Sequence, residues 1–195
     1  MEHHFFAYIN RMKFIQRWGL MRNTMPENDM EHALQTAMIA HAIAVMGNVR
    51  HHKSYNAEYI MALAMYHDAS EVITGDLPTP IKYHSEDIRD AYKQVESLAC
   101  RKLLDTLPEA LRPAYEELLT GQTQERLYDL VKAADKLSAY VKCIEERKAG
   151  NREFLSAEAQ TRRILEESPL PEVAYFLEHF IPAFEKNLDE LGTIE

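Results

Sequence analysis

Ile60-Met61-Ala62-Leu63-Ala64-Met65-Tyr66-His67-Asp68-Ala69-Ser70-Glu71 reads as an apolar helix that ends in reactive side chains. Ile60, Leu63 and Ala64 recur at the three- and four-residue spacing of one helix face, and His67 falls in phase with them. Asn56 stands where an N-cap belongs, and the helix is expected to fade near Gly75. The segment Gly75-Asp76-Leu77-Pro78-Thr79-Pro80 is expected to be non-helical, because each proline lacks an N–H and pushes its predecessor towards extended backbone. His67-Asp68 is thus an imidazole beside a carboxylate at a helix end, with Glu71 four residues beyond His67 and on its face.

Helical periodicity continues on both sides. Phe5, Phe6, Ile9, Met12 and Ile15 form a first stripe ending near Arg17, and a loop with Gly19 and Pro26 follows to Glu27. A second helix is expected from Asp29, taken as its N-cap, to Met46 before Gly47-Asn48. Ser85, followed by Glu86 and Asp87, opens a helix to about Asp105, and Pro108 suits the first position of a short one reaching Leu119. Thr123 opens a long helix bearing Leu127, Leu130, Val131, Ala134, Leu137, Val141 and Ile144, closed by Gly150-Asn151. The last helices cover Phe154 to Glu167 and Pro171 to Leu191, with a kink at Pro182. No alternating strand and no internal repeat stands out. The expected architecture is all-α, with residues 1–195 as a single domain.

Composition narrows the function. The 195 residues carry 22 Lys and Arg against 31 Asp and Glu, a net charge of −9. This excludes broad nucleic-acid binding, which needs cations to displace counterions, and a polybasic membrane surface. No apolar run is long enough to span a bilayer, and the N-terminus has no basic segment leading into an apolar one. The two cysteines, Cys100 and Cys143, fit a reducing compartment. A cytoplasmic protein is expected. An anionic substrate would need positive charge supplied locally, by a metal ion or a placed arginine.

Polar residues on apolar faces are the informative ones. Asp135 is in phase with Leu127 and Val131, where an unpartnered carboxylate is costly. His32 is in phase with Ile39 and Ile43. Singly, each reads more readily as an ion-paired acid or a hydrogen-bonded core histidine. Together His32, His67, Asp68 and Asp135 offer two imidazoles and two carboxylates from three core helices, a set that neutralises a divalent cation and leaves coordination positions open. Manganese, cobalt, iron, zinc and copper are all compatible. His41 is expected to be a core histidine, Glu145-Glu146-Arg147-Lys148 a solvated helix end, and the scattered methionines core filler.

The order His … His-Asp … Asp on successive helices resembles the HD-domain superfamily of metal-dependent phosphohydrolases. Phe5-Phe6-Ala7, Arg17-Trp18, Glu31-His32, the block from Ala64 to Val72, Thr74 to Pro80, Ala134-Asp135 and Ala139-Tyr140 are similar to the bacterial 5'-deoxynucleotidases of the YfbR type. The likeness runs from Phe5 to Phe180-Ile181-Pro182. Met30 and Ala33 depart from the small hydroxylated residues expected beside Glu31-His32, and His51-His52 also differs.

The resemblance implies hydrolysis of deoxyribonucleoside 5'-monophosphates by a homodimer, with one divalent metal held by His32, His67, Asp68 and Asp135. It implies proton transfer by Glu71, a phosphate clamp at Arg17, and Trp18 packed where a 2'-OH would sit. Asp76, Leu77, Pro78 and Thr79 would form the opposite wall, with Asp76 bonded to substrate or water. His32, Asp68 and Asp135 would also border the substrate. Other readings of the same residues are a hydrolase of guanosine polyphosphates or cyclic nucleotides, and a non-catalytic nucleotide-sensing module.

Overall fold

A computed structural model describes residues 2–82, 84–121 and 125–192. Its helices are α1 (Phe5–Ile9), α2 (Asp29–His51), α3 (Ala57–Met65), α4 (Glu71–Thr74), α5 (Thr79–Lys82), α6 (Glu86–Asp105), α7 (Arg112–Thr120), α8 (Glu125–Lys148), α9 (Leu155–Glu166), α10 (Pro171–His179) and α11 (Ile181–Phe184). The architecture is all-α, with no strand among the described residues. No described helix is long and apolar enough to cross a membrane.

The long helices α2 and α8 pack against each other and against α3. Ile43, Ile60, Leu130, Leu137, Ile144 and Val173 meet there in the larger of two apolar clusters. Each such side chain contributes roughly 1.5–3 kcal/mol of burial. The smaller cluster gathers Phe5, Leu103, Leu104, Leu107 and Leu119 and fastens α1, α6 and α7. Ala64 belongs to the first cluster and Ala69 to the second, so His67-Asp68 lies at the seam between them.

Several boundaries differ from the sequence expectation. Asn28, not Asp29, caps α2: its side-chain oxygen accepts from the N–H groups of Met30 (3.1 Å) and Glu31 (3.0 Å), while the Glu31 carboxylate accepts from Asn28 N–H (3.3 Å). The helix runs past Gly47 to His51. Gly47 is there for space, since a Cβ would stand 2.6 Å from both Glu172 Oε1 and the Tyr55 ring. The third helix ends at Met65, and residues 66–70 form tight turns before α4. Thr79–Lys82 is a helical turn rather than extended chain, because Pro80 falls in its first turn, where no N–H is needed. Pro108 caps a 3₁₀ turn, Glu109–Leu111, and it is Pro113 that opens α7. The expected start of α8 at Thr123 lies outside the described residues. The final helix is broken at Phe180, with Pro182 opening α11, and closes in a 3₁₀ turn, Asp189–Leu191.

The segment between Ile15 and Asp29 is a closed loop. Asp29 N–H donates to Ile15 O (3.0 Å) and Arg17 N–H to Glu27 O (2.9 Å), so Gln16 and Asn28 pair as one antiparallel bridge. Its far side is tied to α8 by Glu146, 1% exposed rather than solvated. Glu146 accepts from Thr24 N–H (2.9 Å), Thr24 Oγ1 (2.6 Å), Met25 N–H (3.2 Å) and Asn151 Nδ2 (2.8 Å), and pairs with buried Lys142 at 2.5 Å. Glu145 beside it is exposed as expected. His41 is half-buried and not in the core, and Met25 and Met38 are exposed rather than filling it.

Removing one partner of such a buried pair strands the other charge. Glu146→Ala is expected to cost about 3–5 kcal/mol. For a chain of this length that is a fall in Tm of roughly 6–20 °C. Thermal unfolding followed by circular dichroism checks it, and an unchanged Tm would contradict the account of this clamp.

Candidate active site

Four elements converge on the seam. The first turn of α2 brings His32, the turn after α3 brings His67 and Asp68, the middle of α8 brings Asp135, and the closed loop brings Arg17. His32 Nε2 lies 3.1 Å from Asp135 Oδ1 and 3.8 Å from Asp68 Oδ2. His67 Nε2 lies 3.1 Å from Asp68 Oδ2, and the two imidazole centroids are 5.4 Å apart. One ligand atom each from His32, His67 and Asp135 falls within 4.8 Å of the others.

Neighbouring groups fix where the imidazole protons lie. Ser138 Oγ donates to Gln35 Oε1 (2.6 Å), so towards His32 Nδ1 (3.1 Å) it accepts. That places the His32 proton on Nδ1 and turns the Nε2 lone pair to Asp135. His67 Nδ1 donates to Ala64 O (2.7 Å), and among the described residues its buried Nε2 finds no hydrogen bond although Asp68 stands beside it. Two lone pairs thus face two carboxylates, which fits a divalent cation between them, with Ser138 and the Ala64 carbonyl orienting its imidazole ligands. The same groups accept a proton instead. Burial opposes charge on His67, but Asp68 and Asp135 raise its pKa to about 9. Burial lowers the pKa of His32. The carboxyls of Asp68 and Asp135 are held below their usual range against burial, Asp68 chiefly by His67 and Arg17 and Asp135 chiefly by the nearness of His32 and Lys136.

Arg17 closes one side of the cluster. Its guanidinium reaches Asp68 Oδ2 at 3.1 Å, Asp135 Oδ1 at 3.9 Å, Asp29 Oδ1 at 4.0 Å and Glu27 Oε2 at 3.3 Å. Burial works against its charge, and these carboxylates more than restore it. Lys136 adds a second cation at 3.3 Å from Asp135 Oδ2.

Glu71 is buried at the start of α4, reached through turns in which its N–H donates to Asp68 O (2.9 Å), not along one continuous helix face. Burial, then Asp68 and Asp29, push its pKa up to about 11. Asp29 beside it is fully buried, its pKa pushed up by burial to about 7, and among the described residues neither of its carboxylate oxygens makes a hydrogen bond. Asp76 is half-buried after α4, its pKa raised by burial and Asp68 and lowered by Arg17. Leu77 and Pro78 are half-buried beside it, and the Thr79 side chain lies outside what is described.

Trp18 follows Arg17 in left-handed backbone, φ 58°. Its Nε1 donates to Glu27 Oε2 (2.9 Å), and its ring meets Phe154 with centroids 5.2 Å apart. A surface hollow of about 590 Å³ near this loop is lined by Arg22, Asn23, Thr24, Asn151, Arg152 and Glu153 among others, and includes none of the cluster residues.

Sequence reasoning missed Asp29, Ser138 and Glu27 as members of this site. Asp29, His32 and Thr36 lie at helical spacing, all fully buried, and that run of polar residues on one apolar face was a usable signal. Glu27 lies in a loop, where periodicity says nothing.

The fold that carries these groups is that of the HD-domain phosphohydrolases. A Listeria innocua HD-domain phosphohydrolase superposes with a TM-score of 0.81 at 22% identity, over 93% of this chain and 88% of that one. The cyanophage S-2L HD phosphohydrolase, solved bound to dA and one catalytic zinc ion, superposes at 0.64 and 20% identity, over 93% and 97%. More closely, the chain belongs to the family described as 5'-deoxynucleotidase YfbR-like, whose model matches residues 4–184. It is 50% identical over 190 residues to a 5'-deoxynucleotidase of Erwinia tasmaniensis, covering 97% of this chain and 96% of that one. It is 49% identical over 192 residues to the 5'-deoxynucleotidase YfbR of Shigella boydii, covering 98% and 96%.

Proposed function

We propose that this chain hydrolyses deoxyribonucleoside 5'-monophosphates to deoxyribonucleosides and phosphate, using one divalent metal held by His32, His67, Asp68 and Asp135. The observation that carries the reading is the pair of imidazole lone pairs facing two carboxylates beside a single arginine fork. When bound, the metal acidifies a water and neutralises a phosphate oxygen. Manganese, cobalt, iron, zinc or copper suits two nitrogens and two oxygens, and availability selects among them.

The remaining work falls to the chain. With the charge of Asp68 and Asp135 taken up by a cation, the Arg17 fork serves two phosphate oxygens. Glu71 keeps a proton beside Asp29 and serves in proton transfer at the attacking water or the leaving O5'. Asp76 bonds the substrate or the water, and Leu77, Pro78 and Thr79 form a wall that the prolines stiffen. His32, Asp68 and Asp135 border the substrate where it meets the metal. Trp18 packs on the sugar and fills the place of a 2'-OH. A cytoplasmic homodimer completes the reading, supported by the exposed apolar side chains Leu34, Met38, Val45 and Val49 along one face of α2; sedimentation tests the assembly.

Phosphate release from a panel of deoxy- and ribonucleoside monophosphates tests the function. The native protein is expected to cleave dAMP over AMP by more than the ~10²-fold that a merely apolar pocket gives against a hydroxyl. Trp18→Ala is expected to shrink the ratio of kcat/KM values and to slow dAMP, because packing that orients the sugar is lost. Equal cleavage of AMP and dAMP by the native protein would contradict the deoxynucleotide reading.

A further inference from the structure

We infer that Glu27 is a positioning residue that aligns the phosphate clamp and the sugar-excluding indole through a single carboxylate oxygen; this rests on the roles proposed above for Arg17 and Trp18. Glu27 Oε2 accepts from Trp18 Nε1 at 2.9 Å and stands 3.3 Å from Arg17 Nε. The Glu27 and Arg17 side chains are 13% and 14% exposed, so solvent screens the contact little. Among the described residues Arg17 Nε makes no hydrogen bond, and the ion pair with Glu27 is what orients that edge of the guanidinium. The opposite edge, NH1 and NH2, is left for Asp68 and Asp135 and so for the phosphate side.

Trp18 needs such a hold. A bulky residue at φ 58° sits in a sparsely populated region and stays there only where its surroundings over-determine it. Its carbonyl accepts from Met21 N–H (2.8 Å), Phe154 covers one side of the ring, and Glu27 fixes the indole edge. Glu27 is itself fixed by the backbone. Its carbonyl accepts from Arg17 N–H, one residue before the Asn28 cap of α2, and Glu146 anchors the loop just upstream at Thr24 and Met25. The carboxylate therefore refers both substrate-facing side chains to α2 and α8, the helices that carry His32 and Asp135.

Two variants separate the two jobs. Glu27→Gln keeps an oxygen for the indole N–H but removes the charge facing Arg17. Glu27→Ala removes both. Kinetics on dAMP and AMP are measured with the emission spectrum of Trp18, the sole tryptophan, which reports its own surroundings.

The Gln variant is expected to lower kcat on dAMP with little change in KM, and to keep the native dAMP/AMP ratio and emission. The Ala variant is expected to lose about tenfold or more of that ratio, the worth of one buried hydrogen bond, and to shift the emission. A folded Ala variant with native ratio and native emission overturns the inference. Should the Ala variant not fold, the near-isosteric Gln variant decides alone, and native kcat there overturns it. A native protein that cleaves no mononucleotide defeats the proposed function and this inference with it; a selective native protein with an unchanged Ala variant defeats the inference only.

Discussion

Asp135→Ala is expected to abolish divalent-metal binding and phosphate release while circular dichroism still reports a helical fold. Asp135 projects from the middle of α8 and its oxygen lies 3.1 Å from His32 Nε2. Alanine leaves that lone pair without its opposing charge and takes one of four ligands from the metal. Removing a partner that merely orients a ligand costs about 10–100-fold in metal affinity, and losing the ligand itself costs more. His67→Ala is expected to behave alike, since among the described residues its Nε2 is buried without a hydrogen bond. The fold tolerates both changes because the core around them rests on Leu130, Leu137 and Ile144, and losing Asp135 also relieves the negative charge of a centre that it shares with Asp68. Metal content and Tm measured with and without added metal give the readout. The native protein gains stability on binding, about 2.7 kcal/mol at a hundred times Kd, and the variants gain none. Stoichiometric metal with full activity in either variant would remove it from the ligand set.

Arg17→Ala is expected to cut kcat/KM on dAMP by roughly 10²–10³-fold, the worth of a placed donor to a transition state. Its guanidinium reaches Asp68, Asp135 and Glu27 from one side of the cluster. Loss of metal is not the cause, because none of its atoms is a ligand. Arg17→Lys is expected to restore only part of the rate, as a point charge lacks the planar fork. Metal content measured beside the kinetics separates clamp from ligand. A native rate in the Ala variant would place Arg17 outside the reaction.

The helices were legible because burial imposes period: Leu130, Val131, Ala134, Leu137, Val141 and Ile144 repeat as α8 demands and are all buried. Three of the four proposed ligands, His32, His67 and Asp135, were legible for the inverse reason, as polar groups where that period calls for apolar ones, and Asp68 as the carboxylate next to His67. Boundaries were read less well, since a cap is decided by one side chain. Asn28 and Asp29 are both good caps, and only the geometry shows that Asn28 takes the bonds and frees Asp29 to enter the site beside Glu71. Pro80 and Pro182 were read as breaks or kinks, whereas each falls in the first turn of a short helix. Glu27 acts across one irregular loop on Arg17 and Trp18, and Glu146 on Thr24 and Met25 far from it in sequence, and neither contact leaves a periodic pattern.

The most direct measurement is phosphate release from dAMP and AMP by chelator-treated protein, before and after a single divalent metal is added back. Release from dAMP that is absent without metal, returns at one metal per chain and remains small for AMP is the predicted result. Release that persists at full rate in the metal-free protein, or that is equal for AMP and dAMP once metal is restored, would contradict it.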